Sequence, residues 1–283
     1  MNCINDAWKE KFFKNYYQDM NKINDCLKYK NNHLNKPLFQ YGKVKHAEDL
    51  LCENLMYLRD LTKLNDPFEG DLICDFGEKV KIENHIEELK GDKLKEEKLE
   101  ESIRNYYNQK IKNEWEKIKN EISVVCFSEF NNISPMWAHY GENHGGICIK
   151  YDFNKNEILK NECFPVYYVQ NEENKVLCEK IFSEKKSKNH MLSQLFLRKS
   201  KDWSYEKEWR LLVYDNSDFS KQNVCYKNNL KYLKFIKPTT VYLGYNMEKD
   251  DEKYIKDLCE LNNILIYKMD KDKSGYNLKP NPL

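Results

Sequence analysis

What this 283-residue chain lacks narrows its reading before any motif is considered. Its ten cysteines, at positions 3, 26, 52, 74, 126, 148, 163, 178, 225 and 259, include no C-x-x-C pair. No histidine stands near enough in sequence to complete a ligand set, so neither a structural metal nor a metal-ligating site is expected. Net charge is also missing: 47 Lys and Arg against 46 Asp and Glu leave +1. Without a global positive field, contact with nucleic acid would have to be local. The basic runs at 183–188 and 198–201 read as solvated loops. Met1 to Glu10 contains no apolar signal core, and no stretch approaches the roughly twenty apolar residues of a membrane span. The expectation is a cytoplasmic protein with reduced thiols and no membrane partner. Internal repeats are absent, and no G-x-S-x-G elbow surrounds Ser128.

What remains is enough for a full core: 40% hydrophobic and 13% aromatic residues. Trp8, Phe12, Phe13, Tyr16, Tyr17 and Met20 fall at helical spacing, predicting an amphipathic helix over 5–30. Strands are predicted at 37–44, 55–58, 122–128, 146–152 and 164–169. Short apolar positions in the Lys- and Glu-rich stretch 78–120 predict two helices broken near Gly91. Residues 171–200 read as helical and lead into a strand from Trp203 to Tyr214. At the end, strand 240–244, helix 249–261 and strand 264–268 have the order of a parallel β-α-β unit. The class is therefore α+β: a mixed sheet with flanking helices. It forms a single domain over 1–283, with an N-terminal helical segment at 1–36 and a charged helical insertion at 78–120.

Two stretches carry the chemistry. In Ser204-Tyr-Glu-Lys-Glu-Trp-Arg210, alternation along a strand places Glu206, Glu208 and Arg210 on one face. A carboxylate oriented by a guanidinium or by a second carboxylate suits acid-base or electrostatic catalysis, and two close carboxylates raise one proton affinity. A salt-bridge ladder is the structural alternative. In the second stretch, Trp137, His139, Tyr140 and His144 surround Gly141, with Gly145 and Gly146 permitting close backbone approach or positive φ. An aromatic beside an imidazole can hold a nicotinamide or base ring. A buried aromatic corner explains it equally well. The histidines are five apart, off the spacing that aligns metal ligands on one helix face. Asp66 and Glu69, around Pro67, form a turn first and a pocket lining second. Ser128 and Glu129 end a strand where ligand-facing groups often lie. Cys126 with His139 or His144 as base is an outside reading, since buried inert thiols are commoner.

Taken together, Leu38-Phe-Gln-Tyr41, Asn65-Asp-Pro-Phe-Glu69, Cys126-Phe-Ser-Glu129, Met136-Trp-Ala-His-Tyr140, His144-Gly-Gly-Ile-Cys148, Tyr205-Glu-Lys-Glu-Trp-Arg210 and Tyr242-Leu-Gly244 resemble a bacterial and phage family. It is the domain-of-unknown-function family 2971. One departure is Gly42, followed by Lys43, where the family often has arginine after the first-strand tyrosine. A looser resemblance is to ADP-ribosyltransferases, which share a first-strand tyrosine, a strand ending Phe-Ser and a later glutamate-x-glutamate. That resemblance implies NAD as cofactor and Glu208 as the catalytic glutamate. It implies support from Ser128, with Tyr41 and His139 lining the NAD pocket. It also implies an effector of the toxin or antiphage kind, acting on a macromolecular acceptor or phage component or destroying the dinucleotide. The alternatives are a hydrolase or nuclease-like enzyme using Glu69, Glu129, His139 and Glu208, and a non-catalytic recognition module of a defence system.

Overall fold

A computed structural model describes residues 7–16, 22–34, 36–66, 68–70, 93–170, 195–235, 237–275 and 277–283. The chain is α+β. A mixed nine-stranded sheet runs in the order β14-β13-β12-β5-β1-β4-β9-β6, with β3 pairing β4 beside β1. Its strands are β1 (Leu38–Gly42), β3 (Arg59–Asp60), β4 (Ile122–Ser128), β5 (Ile147–Tyr151), β6 (Cys163–Pro165), β9 (Glu208–Tyr214), β12 (Thr240–Leu243), β13 (Leu265–Lys271) and β14 (Leu278–Pro282). Smaller sheets join β10 (Val224–Lys227) and β11 (Leu230–Lys234) to β2 (Leu55–Tyr57), and β7 (Tyr167–Val169) to β8 (Arg198–Ser200). The helices are α1 (Ala7–Tyr16), α2 (Ile23–His33), α3 (Ala47–Leu51), α4 (Lys93–Asn120), α5 (Ser134–Tyr140), α6 (Glu157–Glu162), α7 (Asp218–Asn223) and α8 (Lys249–Leu261).

Alternation divides the sheet into two faces, and the sequence is apolar on both. Val125, Phe127, Ile147, Ile149, Trp209, Leu211, Val213, Val241 and Leu243 pack on one side against Leu50 and Leu51 of α3 and Ile255 and Cys259 of α8. The other side carries two separate clusters. Val124 and Leu212 join Phe12, Phe13 and Tyr16 of α1 and Trp115 of α4. Phe39, Cys148, Tyr242 and Met269 gather around Trp137 of α5. Cross-strand partners share a face, so register places Phe164, Arg210 and Cys126 in one row and Glu208, Ser128 and Phe39 in the next, on this second side.

Strands β1, β2, β4 and β5, helix α8 and the parallel pairing of β12 with β13 agree with expectation. Elsewhere the structure differs. The helix expected over 5–30 is two helices, because Lys22, at φ −101° and ψ 10°, begins the second as its N-terminal cap. The strand expected over 164–169 is broken at Val166: Cys163–Pro165 pairs with β9, whereas Tyr167–Val169 pairs with β8. Residues 198–200 are strand, not helix. The strand expected from Trp203 begins only at Glu208. Ser200 accepts a hydrogen bond from the Asp202 N–H to start a 3₁₀ turn over Lys201–Glu206, and Lys207 ends it in the left-handed region at φ 46°. The first helix expected within 78–120, and most of the helix expected over 171–200, lie outside the described residues; α4 is the second helix of that insertion.

Candidate functional site

Between the two apolar clusters on the second face lies a buried ionic cluster of Glu69, Lys199, Glu206, Glu208 and Arg210. Strand β9 supplies Glu208 and Arg210 directly. Arg210, with no exposed surface, donates through Nε and Nη2 to the two oxygens of Glu208 at 2.8 and 2.9 Å. Its Nη1 donates to Glu69 and to the Phe196 carbonyl. Glu206 reaches the same place from the 3₁₀ turn. Ser128 Oγ fixes its backbone by donating to the Glu206 carbonyl at 2.6 Å. Lys199, on β8, stands among the carboxylates at 2.6 Å from Glu206, 3.1 Å from Glu208 and 3.9 Å from Glu69.

Glu69 arrives from the turn that Asp66 builds. Asp66 Oδ1 accepts the Phe68 N–H at 2.9 Å, and its carbonyl accepts the Glu69 N–H at 3.0 Å. Gly70 then takes φ +64°, where a side chain would be strained and would press on Phe196. Its carbonyl accepts Trp115 Nε1, whose ring stacks on Phe196 at 5.0 Å. Sequence reading of this segment as a turn is thus correct, and the turn's product is the placement of a carboxylate.

The electrostatics separate the three acids. Against the cost of burial, the charges of Arg210 and Lys199 hold Glu208 well below the usual carboxylate range. Burial, with the charge of Glu208 next, raises Glu206. Burial also raises Glu69, despite Arg210 beside it, and its Oε2 is enclosed without a hydrogen-bond partner among the described residues. Burial and Glu208 push the Cys126 thiol well up, consistent with a protonated sulfur hydrogen-bonded to that carboxylate. Burial and Glu206 likewise raise Tyr140, whose hydroxyl donates to Glu206 Oε1 at 2.7 Å. Tyr168 OH accepts the Glu208 N–H at 2.8 Å.

On its outer side Glu206 meets aromatic residues that reach solvent. Tyr140, Trp203 and Tyr205 are partly exposed and His139 is exposed. Their rings form a chain: His139 lies 6.2 Å from Tyr140 and 6.5 Å from Trp203, and Trp203 lies 6.1 Å from Tyr205. Lys199 Nζ sits 4.9 Å from the Trp203 ring centroid.

The residues expected in the site therefore divide. Glu206, Glu208, Arg210, Glu69, Ser128 and Tyr140 come together, with His139 at the rim. Tyr41 and Trp137 instead brace one loop: Tyr41 OH donates to the Phe130 carbonyl and Trp137 Nε1 to the Asn131 carbonyl. His144 sits in a turn with Glu142 and Asn143, all three at positive φ. Glu129 faces the opposite side of the sheet, where it accepts from Lys9 and from Trp209 Nε1. The quartet Glu69, Glu129, His139 and Glu208 is accordingly not gathered in one place. Lys199, Tyr168 and Trp203 belong to the site and were missed. Lys199 lies in the run read as a solvated basic loop, but it is buried. The available signal was the shortage of cations around three clustered carboxylates.

Residues 136–211 match the model of the family described as protein of unknown function (DUF2971), the family that the motifs resemble. The span holds Lys199, Glu206, Glu208, Arg210 and the aromatic rim, while Glu69 and Cys126 lie outside it. No curated protein and no solved structure matches the chain.

Proposed function

Because the family match brings no activity with it, we propose from the chemistry of the cluster that this protein cleaves the nicotinamide glycosidic bond of NAD. The ADP-ribosyl group passes to water or to a macromolecular acceptor. The observation that carries this reading is the opposite tuning of two carboxylates two residues apart. Glu208 is locked as an anion by Arg210 and Lys199, whereas Glu206 holds its proton more tightly and faces the aromatic rim. A carboxyl with raised proton affinity is suited to accept a proton from an attacking hydroxyl or water. The ionised Glu208 beside it is the negative group placed to stabilise the positive charge that develops on the ribose as nicotinamide departs. Tyr140, His139 and Trp203 offer the planar surfaces on which the nicotinamide ring would rest. In this assignment the working glutamate is Glu206, and Glu208 anchors it. The reaction suits an effector of the toxin or antiphage kind.

The test is mass spectrometry of NAD incubated with purified protein, with and without cell extract, beside Glu206→Gln. Release of nicotinamide by the wild type, reduced at least a hundredfold in a variant that keeps its melting temperature within a few degrees, supports the assignment. Absence of release under both conditions overturns it.

A further inference from the structure

Among the described residues, the ionic cluster contains three carboxyl groups and two cations, all nearly closed to water. Were every acid ionised, one negative charge would lie uncompensated in a low-dielectric interior, a cost that a proton removes. One neutral carboxyl is therefore part of the folded structure, and geometry limits where it resides. Glu208 spends both oxygens on Arg210 and also meets Lys199. Glu206 and Glu69 remain, and Lys199 stands between them.

We propose that Glu206 and Glu69 share this one proton through Lys199, making Glu69 the positioning residue that lets Glu206 gain and release a proton without changing the net charge of the cluster. Lys199 Nζ is 2.6 Å from Glu206 Oε2 and 3.9 Å from Glu69 Oε2, and the latter atom has no hydrogen-bond partner among the described residues. When Glu206 is ionised, the short contact to Lys199 balances it and Glu69 is the neutral acid. When Glu206 takes a proton, Glu69 ionises against Arg210 Nη1 and draws Lys199 toward its open oxygen. The same proton moves between the two seats; with it on Glu69, Glu206 is the free base, and the proton it then takes from the attacking hydroxyl or water is a second one, returned to solvent after the transfer. Burial raises both carboxyls in proton affinity, with the charge of Glu208 adding to each, so either can be the one that keeps the proton.

Among the described residues, the charged and titratable groups facing this pair come from several surrounding segments. They are Arg210 and Glu208 of β9, Lys199 of β8, Cys126 of β4, Tyr140 of α5, Tyr168 of β7 and Tyr205 of the 3₁₀ turn. Lys119 of α4, bridged to Glu116 at 2.9 Å, packs behind Gly70. Of the carboxylates among them, Glu208 is taken up by Arg210 and Glu116 is partly exposed and paired with Lys119, so the described residues provide no third seat for the proton.

This inference rests on Glu206 being the working carboxyl, but the sharing is testable without substrate. Carboxyl carbon resonances of glutamate-labelled protein would be followed by NMR against pH for the wild type, Glu69→Gln and Glu206→Gln. The expected wild type shows one buried carboxyl equivalent still neutral at pH 7. Either substitution should abolish it and move the surviving partner's titration down by about one pH unit or more. In an active enzyme the acid limb of the NAD rate profile should move down with Glu69→Gln. A neutral carboxyl that persists in Glu206→Gln overturns the sharing, as does a wild type with every buried carboxyl ionised at pH 7. If Glu69→Gln fails to fold, the comparison of wild type with Glu206→Gln decides alone. Proton sharing without nicotinamide release would sink the NAD reading and leave this inference standing.

Discussion

Arg210 gives three nitrogens to two acids and a carbonyl while retaining no exposed surface, so removing it strips a cation from a cluster already short of one. Arg210→Met should therefore cost about 3–5 kcal/mol, the usual range for leaving a buried ionic partner uncompensated. Glu208→Gln removes one acid from a cluster with three acids and two cations, so the remaining charges can balance and the loss should be smaller. Chemical denaturation of both variants checks the order, and an equal or reversed cost would show that the charge count does not govern stability here. The same residues show what the sequence disclosed. Glu208 and Arg210 were legible because two-residue spacing on a strand determines a shared face. Glu206 was placed correctly for another reason, since it enters from a 3₁₀ turn and is held by Ser128. Lys199 was not legible: its partners include Glu69, 130 positions away in sequence, and a buried lysine is locally indistinguishable from a solvated one.

At the scale of elements, the match is best where one period runs uninterrupted. Strand β4 and helix α8 begin and end where alternation and helical spacing say they should. The hairpin joining β10 to β11 was passed over although Asn228 and Asn229 both take positive φ, as a two-residue type I′ turn requires. Its strands are short and lysine-rich, which hid the alternation. The glycine pattern after α5 was read for close approach, and the structure supplies the neighbours. Gly146, on the turn into β5, would drive a Cβ into the Gly42 carbonyl oxygen at the end of β1. A Cβ on Gly244 would strike the carbonyl of His144. These glycines let β1, β5 and the end of β12 close around the turn that follows α5. Backbone cannot move aside as a flexible side chain can, so Gly146→Ala should destabilise by about 1–3 kcal/mol through overpacking. By contrast, Gly42→Ala meets only ordinary contact, at 4.0 Å from Ile147, and adopts no unusual φ. Its melting temperature should stay within a few degrees of the wild type. Similar losses in both variants would refute the steric account.

At the scale of the whole molecule, the buried titratable groups combine into a pH response that no single one determines. Burial raises Cys126 and Cys148 well above the ordinary thiol value of 9.0, and raises Cys163 and Cys259 to about 12. It also raises Tyr16, Tyr41, Tyr140, Tyr151, Tyr168 and Tyr214 far above the ordinary 10.0. Such groups stay protonated in the fold while the unfolded chain releases their protons. Their contribution is complete below the unfolded values and lost above them, at about 1.4 kcal/mol per pH unit for each group. Lys30 acts in the opposite sense. Its buried ammonium donates to the Lys160 and Cys163 carbonyls, and burial lowers it to about 8 from 10.5. Its contribution is absent below pH 8 and grows as pH rises toward 10.5, offsetting roughly one thiol over that interval. Four thiols outweigh one lysine. Since folded domains hold only about 5–15 kcal/mol, urea midpoints measured under reducing conditions should fall from about pH 9, and the native state should be lost within roughly two pH units above that. In Lys30→Met the fall should be steeper between pH 8 and 10, because the compensating slope is gone. Midpoints that stay level to pH 11 would mean that the thiols and phenols reach solvent in the folded protein, and that the apolar clusters on the two faces of the sheet are not closed.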